Sequence, residues 1–444
     1  MPSLTLPDPG LDPLPSATPR IVSAARVILA AGEPPVADGA VVIDGRHIVW
    51  TGPGSQLPHD YADLPRTDHP GATILPGLIE THAHLGSYAS RLTPDVPDPS
   101  RHRAAWTALS SVATARQLAS VGVTTVQSLG SPYFADVALR EAIATGLGAG
   151  PRIVAAGPQL TTTGGHAWSN GAEVDSVTDI RRAVRRHHKA GTDLIKVMAT
   201  GGFMTARTDP WKAQFTTEEL RVLVEEAHRL GKHTAAHAHG TEGIRRAVDA
   251  GVDYIAHASF IGEDGRTDVD LELIDRIAER GIFVDTCSPP TRPPVEGETI
   301  SPRAAELFQR GVRLVTGHDI GAVLPPSAYT FGLKQLEASG LPRVEVLRAA
   351  TSTAAAAAGL AGVAGVLAPG YSADLIVAAG DPLADLSALD SLLEIVIAGR
   401  TFRPDPVIPY VPGSGRHAVD RTQDLRAARG EALERRRRHP VHPA

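Results

Sequence analysis

His82 and His84 stand two residues apart in the stretch Leu75-Pro-Gly-Leu-Ile-Glu-Thr-His-Ala-His84. In a β-strand, positions i and i+2 face one side, so both imidazoles can reach one cation. Taken alone, two surface histidines satisfy the same pattern. Lys196 lies inside Leu194-Ile-Lys-Val-Met198, an apolar run where a charged amine is costly unless it is paired, neutral or modified. An outward lysine that snorkels to solvent is the alternative. His237 and His239 close Ala235-Ala-His-Ala-His239, His257 closes Tyr254-Ile-Ala-His257, and Asp319 closes Thr316-Gly-His-Asp319. Each stretch is ordinary by itself. Together they supply imidazole, amine and carboxylate groups at the ends of successive apolar runs, a donor set suited to divalent metals.

The elements that must position these groups alternate. Apolar β-like runs fall at 74–79, 123–127, 152–156, 194–198, 233–237, 253–257, 282–286 and 313–316, with helix-like stretches between them. One such stretch runs from Thr216 to Leu230. Thr216 and Glu219 form a capping-box pattern at its start, and Gly231 ends it. Eight strand–helix units in about 290 residues fit an α/β fold of the (β/α)8 TIM-like barrel type, whose catalytic groups collect at the C-terminal ends of its strands. A doubly wound sheet would alternate too, but no Gly-rich phosphate loop follows the first strand. Short β-runs at Ile21–Leu29, Gly39–Ile43, His47–Trp50, Asp374–Ala378 and Glu394–Ala398 suggest a small β-sandwich domain built from both termini. The expected organisation is a lead-in at 1–19, a composite β-domain at 20–72 plus 361–403, a catalytic barrel at 73–360 and a tail at 404–444. Within the tail, Asp424 to Arg438 is a charged helix candidate ending in the basic run Arg435–Arg438, read as a solvated face.

The quoted motifs, with Leu194-Ile-Lys-Val-Met-Ala-Thr-Gly-Gly202 and the closing Gly370-Tyr-Ser-Ala-Asp-Leu375, resemble the metal-dependent amidohydrolase superfamily, in its imidazolonepropionase-like and Xaa-Pro-dipeptidase-like branch. The resemblance extends from about Arg20 to Phe402. It implies that His82, His84 and Asp319 hold a more buried metal ion and His237 and His257 a more exposed one. Lys196 matches the lysine that forms a CO2-derived carbamate bridging both. The implied cofactors are therefore two divalent ions, with Zn favoured and Mn, Fe or Co also compatible. The implied chemistry is hydrolysis of a C–N amide bond by a metal-bridging hydroxide, with Asp319 carrying the proton. An N-acyl amino acid or an Xaa-Pro-like dipeptide is the expected substrate class. Cyclic amide, lactone or phosphoester hydrolysis, or deamination, are alternatives on the same scaffold. A catalytically silent scaffold protein is a further alternative, disfavoured because every ligand position is filled.

Three more residues are substrate-contact candidates. His166 ends the loop Thr161-Thr-Thr-Gly-Gly-His166, which resembles the family's Gly-Gly-His loop, and could contact a carbonyl or simply shape the loop. His239 faces the same side as His237. Arg207 could clamp a substrate carboxylate, although a solvated loop arginine fits equally. His318 adds an imidazole beside Asp319 or points outward, and Cys287 is read as a packing residue. Composition narrows the remainder. The 444 residues carry 43 Lys and Arg against 49 Asp and Glu, a net charge of −6, which gives no electrostatic reason to expect nucleic acid. One cysteine excludes an internal disulfide framework and a Cys-based zinc cluster. No run approaches the roughly 20 apolar residues of a membrane span, and the N-terminus lacks a signal-peptide pattern. A cytoplasmic homo-oligomer acting on a small molecule, with no nucleic-acid or membrane partner, is the expectation.

Overall fold

The structure is a computed structural model that describes residues 18–87, 103–287, 302–322, 324–407 and 409–410. Most of the lead-in and the tail beyond Tyr410, including the basic run, lie outside the described residues. Three sheets organise the described residues. The first is mixed and joins both ends of the sequence. Its strands are β1 (Arg20–Val27), β2 (Val36–Asp44), β3 (His47–Pro53), β4 (Arg66–Pro76), β15 (Leu375–Ala378), β16 (Leu392–Ile397) and β17 (Arg400–Thr401). They pair in the order β17-β16-β15-β4-β1-β2-β3. The strands expected as a sandwich are thus hydrogen-bonded edge to edge in one sheet, with β4 joining the N-terminal and C-terminal contributions through β1 and β15.

The other two sheets are parallel. One contains β5 (Leu78–Ala83), β6 (Val123–Ser128) and β7 (Arg152–Ala155). The other contains β8 (Leu160–Thr161), β9 (Ala172–Glu173), β10 (Leu194–Met198), β11 (His233–Gly240), β12 (Tyr254–Ile261), β13 (Phe283–Asp285) and β14 (Arg313–Leu314), in the order β14-β13-β12-β11-β10-β8-β9. Single backbone bonds cross between them. Asp193 N donates to Ala155 O at 2.7 Å, and Thr81 N donates to Thr316 O at 2.9 Å. Their central strands are buried along nearly their whole length, as expected of parallel sheets covered by helices. Helices α1 (Arg103–Ser120), α2 (Ala135–Thr145), α3 (Val177–Ala190), α4 (Thr217–Arg229), α5 (Thr241–Ala250), α6 (Leu271–Glu279), α7 (Pro302–Gln309) and α8 (Tyr329–Ala338) separate or follow these strands, and α9 (Arg343–Ala349) and α10 (Ser352–Ala357) lead back to the terminal sheet.

Local signals were informative where a single turn decides the outcome. Thr216 caps α4 through a complete capping box, and Gly231 just past its end sits at φ +71°. The run at 74–79 is a correction. It is not one strand: β4 ends at Pro76 in the terminal sheet, and β5 begins at Leu78 in a parallel sheet. Gly77 permits the change of sheet, because a Cβ there would stand 2.1 Å from the Thr124 hydroxyl. The tail's first residues are anchored, with Asp405 receiving two bonds from the Arg116 guanidinium on α1 (2.6 and 2.8 Å).

Candidate metal centre

Parallel strands point one way, so their C-terminal ends share a face. His82 lies near the end of β5 and His84 just past it. Lys196 lies within β10, His237 and His239 within β11, and His257 within β12, while Asp319 follows β14. The structure brings these groups together. Nitrogens of His82 and His84 and a carboxylate oxygen of Asp319 fall within 4.8 Å of one another, as do nitrogens of His237, His239 and His257. The two groups adjoin: the His82 and His257 ring centroids are 5.2 Å apart, and those of His237 and His257 are 4.5 Å apart. The backbone turns sharply here, with His257 at φ +73°, Ala258 at +43°, Cys287 at +45° and Asp319 at +56°. Non-glycine residues in this region are strained and cluster at functional sites.

Hydrogen bonds fix which nitrogen of each ring faces inward. His84 Nδ1 donates to Gly130 O at 3.1 Å. Its Nε2 then carries a bare lone pair, and it faces Asp319 Oδ1 at 3.3 Å. His82 Nε2 lies 3.7 Å from the same oxygen, while its Nδ1 meets Asp285 Oδ2 at 3.1 Å. Asp319 Oδ1 is buried and has no hydrogen-bond partner among the described residues, and the same holds for Lys196 Nζ. Burial pushes the Lys196 amine down to about 8, against the opposing pull of Asp285, Cys287 and Asp319. His84 is pushed down to about 4, by burial above all, and His237 and His257 lie well below the ordinary imidazole range for the same reason. Lone pairs converging on an unpartnered carboxylate oxygen repel unless a cation lies among them, so this donor set fits a metal.

The substrate-contact candidates divide. His166 and His239 join the cluster: the His166 ring is 4.6 Å from His237, and the His239 ring stacks on His257 at 4.3 Å. His166 Nδ1 meets Thr205 Oγ1 at 3.0 Å, and His239 Nδ1 meets Ser259 Oγ at 2.9 Å. Arg207 is exposed at φ +66° and makes no hydrogen bond or ion pair with the described residues. Two readings change. His318 does not point outward; it is buried, and its Nδ1 bonds Glu80 Oε2 at 2.7 Å. Cys287 does more than pack, since its thiol lies 3.1 Å from His82 Nδ1 and 2.6 Å from Asp285 Oδ1.

Sequence reasoning missed Glu80, Asp285 and Tyr254. Glu80 is buried and receives the amide N–H groups of His82 and His318, each at 2.8 Å. Tyr254 donates to Asp285 Oδ2 at 2.6 Å. A carboxylate within a stretch as apolar as Leu78-Ile-Glu80 is the one signal that pointed to Glu80.

The model of the amidohydrolase family matches residues 73–402. The chain belongs to that family. Family membership makes it a hydrolase, and its relatives are of the expected branch. It is similar to ochratoxinase of Aspergillus niger, 28% identical over 447 residues that cover 88% of each chain. It is also similar to imidazolonepropionase of Paracoccus denitrificans, 27% identical over 260 residues covering 52% of this chain and 62% of that protein. Among solved structures, a Xaa-Pro dipeptidase with bound methionine in its active site matches with a TM-score of 0.75 and 26% identity, covering 87% of this chain and 100% of that one.

Proposed function

We propose that this family member is a metal-dependent hydrolase that cleaves a C–N amide bond of a small molecule, an N-acyl amino acid or an Xaa-Pro-like dipeptide. The observation that supports it best is the convergence of His82 Nε2, His84 Nε2 and the unpartnered Asp319 Oδ1, beside the unpartnered Lys196 amine. His82, His84 and Asp319 would hold one divalent ion and His237 and His257 a second, with a CO2-derived carbamate on Lys196 completing both sets. Imidazole and carboxylate donors favour Zn and also accept Mn, Fe or Co. Bound there, such ions supply a water acidic enough to ionise near neutral pH and an electrophile for the scissile carbonyl.

The chain's own residues do the rest. Burial lowers the Lys196 amine to about 8, which raises the share of unprotonated amine that CO2 requires. Asp319 takes a proton from the attacking water and passes it to the leaving nitrogen. His166 and His239 line the side of the cluster where the scissile group enters and orient it. Arg207, on the loop after β10, reads the substrate carboxylate. The scaffold in this reading is one eight-stranded barrel of β5, β6, β7, β10, β11, β12, β13 and β14. The bonds that cross between the parallel sheets support it, as does a single apolar cluster containing Ile79, Val154, Leu194, Ala235, Tyr254, Ala256 and Phe283 from six of those strands.

Similarity to imidazolonepropionase supports a second reading, hydrolysis of a cyclic amide. One assay separates the two. Protein loaded with Zn or Mn in the presence of bicarbonate is given Xaa-Pro dipeptides, N-acyl amino acids and cyclic amides. Turnover of the open-chain amides is expected. Turnover confined to cyclic amides would replace the first reading with the second, and no metal-dependent turnover of any would contradict both.

A further inference from the structure

Asp285 ends β13 with its carboxylate fully buried, and five donors among the described residues reach it. Tyr254 Oη (2.6 Å) and His82 Nδ1 (3.1 Å) meet Oδ2. The Cys287 thiol (2.6 Å), the Cys287 amide (3.1 Å) and the His257 amide (3.4 Å) meet Oδ1. A buried carboxylate with this many donors is stabilised as the anion.

An ionised carboxylate can only accept, so the ring nitrogen facing it must carry the proton. His82 is then the Nδ1–H tautomer, with its lone pair on Nε2, the atom that faces Asp319 Oδ1. Cys287 Sγ is equally close to His82 Nδ1, but its proton has a charged acceptor nearer at hand in Asp285 Oδ1. The thiol therefore does not reverse the tautomer. The same carboxylate reaches the other imidazole group through the amide of His257, whose left-handed backbone is strained unless its surroundings hold it.

We propose that Asp285 is a positioning residue for the metal centre: one buried carboxylate sets the His82 tautomer and pins the His257 backbone, so that both imidazole groups take their shape from it. This rests on the metal-binding reading above, in which His82 and His257 serve different ions. Asp285→Asn keeps the size of the side chain but places an NH2 among groups that all donate. Histidine side-chain 1H–15N correlation spectra of the metal-stripped full chain, paired with competitive Zn titrations, test the proposal.

In the wild type, His82 should be the Nδ1–H tautomer. In Asp285→Asn it should become Nε2–H, and both ions should weaken by about 10–100-fold, the usual effect of removing such an outer partner. Tyr254→Phe, which removes one donor and leaves the carboxylate, should keep the tautomer. A purely structural Asp285 would lower thermal stability without moving it. If Asp285→Asn does not fold, the wild-type spectrum still decides, because an Nε2–H His82 overturns the proposal. A folded Asp285→Asn with wild-type affinity for both ions overturns it as well. A wild-type chain that shows the Nδ1–H tautomer but takes up no ion would uphold the hold of Asp285 on His82 and refute the metal-centre reading instead.

Discussion

His82 leans on charge, whereas the rings of His237 and His239 lean on neutral oxygens. His82 has Glu80 at its amide and Asp285 at its ring. By contrast, His237 Nε2 meets Gly201 O at 3.2 Å, His239 Nδ1 meets a serine hydroxyl, and the His239 amide donates to Thr200 Oγ1 at 3.1 Å. A carboxylate behind an imidazole raises its basicity and fixes its orientation, whereas a carbonyl or hydroxyl does this less. The neutral partners Thr200 and Gly201 also begin the loop that carries Arg207, so the second group shares its support with a candidate substrate contact. Under the proposed two-metal reading, the contrast predicts one tight cation site built into the strands and one weaker site tied to a loop.

The largest effect that should follow is loss of proton transfer with the metals still in place. Asp319→Asn retains a ligand atom and removes the carrier, so kcat should fall by about 10²–10⁴-fold while metal content stays near wild type. Unchanged kcat in a metal-replete sample would remove Asp319 from that role. The contrast itself should appear on chelation. Metal should leave in two phases whose affinities differ by roughly 10–100-fold, and His237→Ala should abolish only the weaker phase. A single phase, or loss of the tighter one in that variant, would erase the distinction. Arg207→Ala should cost roughly 10–150-fold in kcat/KM, the equivalent of a charge-assisted bond worth about 1.5–3 kcal/mol, and less for a substrate whose carboxylate is amidated. Equal losses for both substrates would mean that Arg207 does not read the carboxylate.

Smaller effects should appear in stability. His84, His237 and His257 are held below the ordinary imidazole value of 6.5 in the folded chain. Below about pH 6.5 the unfolded chain therefore binds protons that the folded chain does not, and metal-free stability should fall as pH drops toward the His84 value of about 4. Thermal unfolding of the apo protein between pH 7 and 4 measures this, and His84→Gln should flatten the slope. Truncation after Pro412 should change kcat least of all, because it leaves the Arg116–Asp405 anchor intact. A truncated chain that binds metal yet does not turn over would place the tail in the site.

What the sequence disclosed and what it hid follow a physical line. His82, His84, Lys196, His237, His257 and Asp319 were legible because each stands at or near the end of an apolar run, where a polar group needs a reason. Arg207 and His166 were legible only as types in loops, since loop shape is set by contacts such as Thr205 with His166. Asp285 and Glu80 could not be assigned a role, for they are two among 49 acidic residues, and their partners lie 203 and 238 positions away. The change of sheet at Gly77 was hidden because the end of β4 (Ala72 to Pro76) and the start of β5 (Leu78-Ile79) read as one apolar run separated by a single residue.

The central claim is that two cations are held by these six side chains. Anomalous diffraction at the metal absorption edge, on crystals grown with Zn and bicarbonate, tests it most directly. The account predicts two anomalous peaks, one contacted by His82, His84 and Asp319 and one by His237 and His257, with extra density on Lys196 Nζ touching both. A single peak beside an unmodified Lys196 in a metal-saturated crystal would contradict it.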